Sequence, residues 1–209
     1  GGRWHYNLGI DIGFNDPTAW VVTAYHDFDR TLYVLGAHKK EKCDITEVAD
    51  QTRKLMGRFE FDRIIIDNAN KQAIVEMQRR HDIPLTAAEK AGKADFIEIM
   101  NGDFIQGHIK LHRKGCVPLM DEYGQLIWDE RSTRREEHAA APNHCSDAML
   151  YNWRHCYSYL ADLRQPNGLR HGQGEADWML LQAEQELERA LEERRSQEAE
   201  LSLYDANLQ

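Results

Sequence analysis

No two of the four cysteines, Cys43, Cys116, Cys145 and Cys156, stand in a CxxC pair. Their scatter argues against a disulfide framework or a structural zinc site and favours a reducing, cytosolic setting. No apolar run approaches the roughly 18 residues that a membrane-spanning helix needs. The start, Gly1-Gly2-Arg3, lacks the apolar stretch of a signal peptide, and its Gly-Gly pair reads as an appended leader outside the fold. No membrane partner is expected. A phosphate-binding GxxxxGK[ST] loop is absent throughout. Basic charge is also in short supply: the net charge is -9 over 209 residues, the wrong sign for a simple nucleic-acid binder.

The distribution of that charge matters more than its total. Residues 175–209 carry ten acidic side chains against three arginines, which leaves 25 acidic and 23 basic over the first 174, a nearly neutral body. Within it Arg79, Arg80, Lys90, Lys93, Lys110, Arg113, Lys114, Arg131, Arg134 and Arg135 fall in one stretch. Two readings stay open for it, a basic rim and an ordinary solvated surface. With 42% hydrophobic and 29% charged residues the chain has a normal soluble composition, and its length fits one domain with an appendage.

Periodicity supplies the elements. Tyr6–Ile12, Ala19–Tyr25 and Thr31–Ala37 read as three strands joined by short turns, the first through Gly13-Phe14-Asn15-Asp16-Pro17, which predicts an antiparallel meander. Asp44 is placed to cap a helix reaching about Met56. Ile64-Ile65-Ile66 before Asp67 reads as a strand buried on both faces. A helix over Lys71–His81, a short strand over Pro84–Ala88 and a helix over Lys93–Gln106, with Phe96, Ile97, Met100, Phe104 and Ile105 on its apolar face, come next. A short strand at Ile109–His112 and a helical segment opened by Pro118, with Leu119, Met120, Tyr123, Leu126 and Ile127 on one face, complete the series. Residues 128–143 have no apolar period and read as a loop. Ser146 is the expected N-cap of a late helix in which Ala148, Tyr151 and Tyr159 face the core. Residues 165–174 are linker-like, and Trp178–Leu203 resembles a charged helix.

Three carboxylates stand where such a sheet collects ligands: Asp11 near the end of the first strand, Asp67 at the end of the fourth, and Asp147 in the first turn of the late helix. Strand ends of an α/β sheet face the crevice where ligands bind. Hard Mg²⁺ or Mn²⁺ ions prefer carboxylate oxygens, so these residues form a supply line for a two-ion site that cleaves phosphodiesters. Each has an ordinary competing role, as a turn former, a helix cap or a charge complementing a helix N-terminus. Asp67 is set apart because a carboxylate after three isoleucines is costly to bury unless an ion or hydrogen bonds offset the cost.

Gly9-Ile10-Asp11-Ile12-Gly13-Phe14-Asn15-Asp16-Pro17-Thr18-Ala19, Ile64-Ile65-Ile66-Asp67 and His144-Cys145-Ser146-Asp147-Ala148 together resemble the three acidic motifs of the C-terminal nuclease domain of large terminase subunits from tailed bacteriophages. The likeness covers roughly residues 5–160. It implies an α/β, ribonuclease H-like mixed sheet flanked by helices, assigned here to residues 1–164, with the linker read at 165–174 and the helical acidic tail at 175–209 following it. It implies a metal-dependent endonuclease that cuts concatemeric double-stranded viral DNA with Mg²⁺ or Mn²⁺, two ions held by Asp11, Asp67 and Asp147, with Asp16 auxiliary. Lys90 and Lys93 follow the short strand where terminases carry basic residues. With Arg134, Arg135 and His144 they are the candidate DNA contacts, ordinary surface roles being the alternative; His138 also flanks the last motif. The resemblance implies the ATPase motor, the portal and the small terminase subunit as partners, and the host cell cytoplasm as the place of action. In the tail, Trp178, Met179, Leu180 and Leu181 offer either an amphipathic anchor for such a partner or a solvated helix.

The missing nucleotide loop departs from a complete large terminase and makes this chain read as a nuclease domain without its motor. A nearly neutral body implies weak DNA affinity on its own and contacts dominated by phosphate and shape. A junction-resolving endonuclease on the same fold and a packaging scaffold without activity remain as alternatives. Gly9-Ile10-Asp11-Ile12-Gly13 also resembles the first phosphate motif of sugar kinases and actin-like ATPases, but Asn101-Gly102-Asp103 does not supply that family's further glycine-rich motifs.

Overall fold

The computed structural model describes residues 1–13, 16–67, 71–133 and 135–164. The expected linker, the expected tail helix with Trp178, and Arg134 lie outside the described residues. Strands β1 (Trp4–Asp11), β2 (Thr18–His26) and β3 (Leu32–Lys40) form the expected meander, with Asp11 opposite Ala19 and Trp4 opposite His26. Strand β4 (Phe61–Ile66) adds parallel to the free side of β1, β5 (Leu85–Ala87) parallel to β4, and β6 (Ile109–Leu111) parallel to β3. The sheet therefore runs β5-β4-β1-β2-β3-β6. Helices α1 (Ile45–Met56), α2 (Lys71–His81), α3 (Lys93–Ile105), α4 (Val117–Tyr123) and α5 (His144–Arg164) supply the flanking layers.

Strand alternation sorts the core into two layers. Leu8 and Ile10 of β1, Trp20 and Val22 of β2, and Ile64 and Ile66 of β4 pack with Val48, Ala49 and Met77 from α1 and α2. The alternate residues Ala19 and Val21, with Leu32 and Val34 of β3, pack with Met100, Leu119, Ala148, Met149 and Trp153 from α3, α4 and α5. A one-residue slip in β1 would exchange these faces and carry Asp11 away from α5. Asp44 and Glu47 form a reciprocal capping box at the start of α1, as the Asp44 cap anticipated. The middle of α5 is tied down by side-chain hydrogen bonds: Asn152 Nδ2 donates to the Val21 carbonyl at 2.8 Å, and Trp153 Nε1 to Asp103 of α3 at 2.8 Å.

Three local expectations are corrected. Helix α5 starts at His144, ahead of the expected Ser146 cap. The Asn143 carbonyl accepts from Asp147 N–H and from the Ser146 hydroxyl, both at 2.8 Å, while Ser146 N–H donates to the buried Glu122 carboxylate at 3.0 Å. Part of the capping thus comes from α4, which no local pattern reveals. Ile105, the last residue of α3, is 87% exposed rather than on the apolar face. Gly124 ends α4 at Tyr123, so the apolar stripe does not reach Ile127, which is 60% exposed. No described helix is long and apolar enough to cross a membrane.

Candidate active site

Asp11 ends β1 with its side chain on the α5 face. Gly9, two residues earlier on that face, explains how the helix comes so close: a Cβ there would lie 2.0 Å from the Ala148 carbonyl oxygen. The residue after Asp147 therefore rests directly on β1. The turn beyond Asp11 is equally tight. A Cβ on Gly13 would lie 2.3 Å from the Asp16 carbonyl oxygen, and the buried Thr18 hydroxyl accepts from Gly13 N–H at 3.3 Å and donates to its carbonyl at 3.2 Å. These contacts give physical roles to three residues of the first motif.

Asp67 follows β4 directly, and its N–H donates to the Ile10 carbonyl at 3.1 Å, which sets it beside the end of β1. Lys90 Nζ donates to Asp67 Oδ1 at 2.7 Å. Asp147, in the first turn of α5, pairs with Lys93 Nζ at 2.6 Å, and the same ammonium donates to Glu137 Oε2 at 2.6 Å. Asp11 is held from the α5 side, by His144 Nδ1 at 3.0 Å and by the Tyr151 hydroxyl, which donates to Oδ1 at 3.2 Å. His144, Asp147 and Tyr151 are spaced three and four residues apart, so one helical face presents all three.

The electrostatics report the same convergence. Burial pushes the Tyr151 hydroxyl well above the ordinary phenol range, and Asp11, Asp147 and Asp67 each push it further. Burial lifts Asp147 to about 6 against the pull of Lys93, with Glu137 and Asp11 adding to the rise. Burial also works against the charge of Lys93, yet Asp147 and Glu137 outweigh it and hold Lys93 above its usual value. The two shifts are compatible because one ammonium faces two carboxylates while Asp147 faces other acids besides. The hydrogen bond to Asp11 raises His144 despite burial, with the charges of Asp11, Glu122 and Asp16 helping.

The structure thus brings Asp11, Asp67, Asp147, Lys90, Lys93 and His144 to one end of the sheet. Both lysines point at carboxylates. Asp16 is exposed and near enough to His144 to act on its charge. Arg135 pairs with Glu98 and stacks over the Trp128 ring, 5.1 Å from its centroid. His138 serves its own turn, its Nδ1 accepting from Ala140 N–H at 3.2 Å, and Asp129 accepts from Arg131 N–H at 2.9 Å. Sequence reasoning missed Tyr151 as a site residue, although its i+4 spacing from Asp147 was a usable signal. It also missed Glu137, which sits in a segment without periodicity, and Glu122, whose role depends on packing between helices.

Among the described residues, no three His, Cys, Asp or Glu side chains are grouped tightly enough to grip an ion as they stand; ammonium groups hold two of the carboxylates instead. The donor set nonetheless fits a hard divalent cation. Its ligating atoms are carboxylate oxygens, and Asp67 and Asp147 are already paired with positive charge that an ion would replace.

No protein-family model matches the chain. The large terminase subunit of Escherichia phage T5 is 29% identical over 149 residues, covering 69% of this chain and 34% of that protein. The chain therefore spans about a third of the length of this relative. The large terminase of a thermophilic bacteriophage superposes with a TM-score of 0.62 at 19% identity, over 71% of this chain and 38% of that one. The nuclease domain of the bacteriophage SPP1 large terminase, solved with bound Mn, superposes with a TM-score of 0.54 at 20% identity, over 72% of this chain and 86% of that domain. The chain is a relative of bacteriophage large terminase subunits, and its described body has the ribonuclease H-like fold of their nuclease domain.

Proposed function

We propose that this chain is the nuclease of a viral genome-packaging machine, a metal-dependent endonuclease that cuts concatemeric double-stranded DNA in the host cytoplasm. The convergence of Asp11, Asp67 and Asp147 at one end of the sheet carries this reading. The SPP1 domain with bound Mn supports the choice of a divalent ion. Asp11, Asp67 and Asp147 would hold two ions, Mg²⁺ or Mn²⁺, with Asp16 in reserve. Ions bound there supply the Lewis acidity that in-line attack of water on a phosphodiester needs.

The chain's own residues do the rest. Tyr151 and His144 fix the two oxygens of Asp11. With ions in place of their ammonium groups, Lys90 and Lys93 would be available to DNA phosphates as charged donors. Arg134, Arg135 and His144 extend that contact. A nearly neutral body leaves most DNA affinity to partners, for which the motor ATPase, the portal and the small terminase subunit are proposed.

The test is conversion of supercoiled plasmid to nicked and linear forms with Mn²⁺, Mg²⁺ or EDTA, comparing the chain with Asp67→Asn. Cutting that needs the ion and disappears in the variant is the expected result. Ion-dependent cutting that survives Asp67→Asn would remove Asp67 from the site and overturn the assignment.

A further inference from the structure

Glu137 belongs to none of the three acidic motifs, yet it ends at the same ammonium as Asp147. Lys93 Nζ lies 2.6 Å from Glu137 Oε2 and 2.6 Å from Asp147 Oδ1. Two carboxylates from separate segments therefore converge on one positive charge. Neither is sealed from solvent, their side chains being 15% and 14% exposed. Both border an apolar cavity of about 510 Å³ between α3, α4 and α5, whose wall offers their charge little other compensation.

Residues 128–143 lack an apolar period, but the structure gives them a scaffold that seats Glu137. Trp128 and Glu137 form an antiparallel bridge, flanked by Asp129 N–H donating to the Glu136 carbonyl at 2.8 Å and His138 N–H donating to the Ile127 carbonyl at 2.9 Å. Asn143 Nδ2 donates to Glu137 Oε2 at 2.9 Å, while Oε1 takes no hydrogen bond among the described residues. Glu137 is not needed to fasten this hairpin to α3, because Arg135 pairs with Glu98 of that helix and stacks on Trp128. Its carboxylate is held in place with an oxygen to spare.

We propose that Glu137 is a fourth carboxylate ligand of the metal centre, sharing with Asp147 the ion that takes the place of the Lys93 ammonium. The proposal rests on the two-ion nuclease reading and adds a residue to it. An ammonium and a hard divalent cation seek the same anionic oxygens, so the ammonium marks a point where such an ion is stabilised. Charge balance points the same way. Two divalent ions bring four positive charges, of which the three aspartates offset three; Glu137 supplies the fourth before any DNA phosphate arrives. A plain ion pair that ties the hairpin to Lys93 is the competing role, and it leaves Oε1 idle.

The test is calorimetric titration of Mn²⁺ into variants of the 209-residue chain, with broadening of the Mn²⁺ EPR lines by isotopically labelled water to count the waters on the ion. Lys93→Met removes the competing ammonium, and it is compared with Lys93→Met/Glu137→Ala. Loss of a carboxylate ligand predicts about tenfold weaker Mn²⁺ binding and an additional water on the bound ion. Melting in EDTA should not fall between the two, since Glu137→Ala then removes a stranded charge. Glu137→Ala in the otherwise unchanged chain should show the same additional water, so the outcome does not hang on how well the Lys93 variant folds. Equal Mn²⁺ affinity and equal water count, or weaker binding without the additional water, overturns the assignment of Glu137 and leaves the nuclease reading intact. Absence of Mn²⁺ binding by every protein, the parent included, overturns the metal reading and this proposal together.

Discussion

Replacing Gly9 with alanine tests the link between a small residue and the geometry of the site. The added Cβ would meet the Ala148 carbonyl oxygen at 2.0 Å and its carbon at 2.9 Å. Both are backbone atoms, so no rotamer change relieves the clash. Strand β1 cannot give way easily, because it is paired on one side with β2 and on the other with β4. Helix α5 must yield instead, and reaching the 3.4 Å at which ordinary contact begins requires a retreat of about 1.4 Å. Overpacking of this kind costs about 1–3 kcal/mol. The same movement would stretch the 2.8 Å bond from Asn152 to the Val21 carbonyl, which adds about 1 kcal/mol. For a domain of this size the sum corresponds to a melting temperature lower by roughly 5–15 °C. Because α5 carries His144, Asp147 and Tyr151, a displacement of an ångström or more should also reduce plasmid cutting by about a hundredfold. Gly102→Ala is the control, since a Cβ there meets nothing within 4 Å inside α3, and it should gain about 0.5–1 kcal/mol. Differential scanning calorimetry and the plasmid assay read both variants. A Gly9→Ala protein with unchanged melting and unchanged cutting would refute the close-approach explanation.

Asp147 should give a pH-dependent stability of distinctive sign. Between its ordinary 3.8 and about 6 the folded chain keeps a proton that the unfolded chain has released, so stability falls as pH rises through that window and stays low above it. Asp147→Asn should therefore be more stable than the parent by on the order of 2–3 kcal/mol at pH 7 in EDTA, with the difference vanishing near pH 4, as urea unfolding at a series of pH values would show. Lys93→Met strands Asp147 and Glu137 without their shared cation. It should lose about 1–3 kcal/mol in EDTA, and Mn²⁺ should recover more melting temperature in the variant than in the parent; an equal response to Mn²⁺ would place the ion elsewhere. Glu122 is fully buried and accepts from Lys39 Nζ at 3.3 Å and from Ser146 N–H at 3.0 Å. Glu122→Ala leaves both donors unpaired and should cost about 2–4 kcal/mol, with Glu122→Gln falling between it and the parent in urea titrations.

Much of the fold is legible from residue pattern because strand alternation and helical periodicity are local signals. The meander, the doubly buried Ile64-Ile65-Ile66 strand and the Asp44 cap all follow from spacing, and so do the positions of Asp11 and Asp67 at strand ends. The errors have two sources, a deciding contact from another element and a helix end within the segment itself. Ser146 looks like a cap until the buried Glu122 of α4 reaches its N–H, and Ile127 looks like part of a helical stripe until Gly124 ends the helix before it.

The sequence by itself determined the chemistry on offer: three carboxylates at strand or helix ends, two lysines after a short strand, a histidine three residues before Asp147, and a glycine-led turn after the first strand. The tertiary structure alone decided who faces whom. It put Lys90 on Asp67, placed Lys93 between Asp147 and Glu137, set Tyr151 on Asp11, and opened an apolar cavity beside Asp147. The reason is physical: identity and period are encoded within a few residues, whereas pairing between groups up to 140 positions apart, as for Tyr151 and Asp11, exists only once α5 has packed across the sheet.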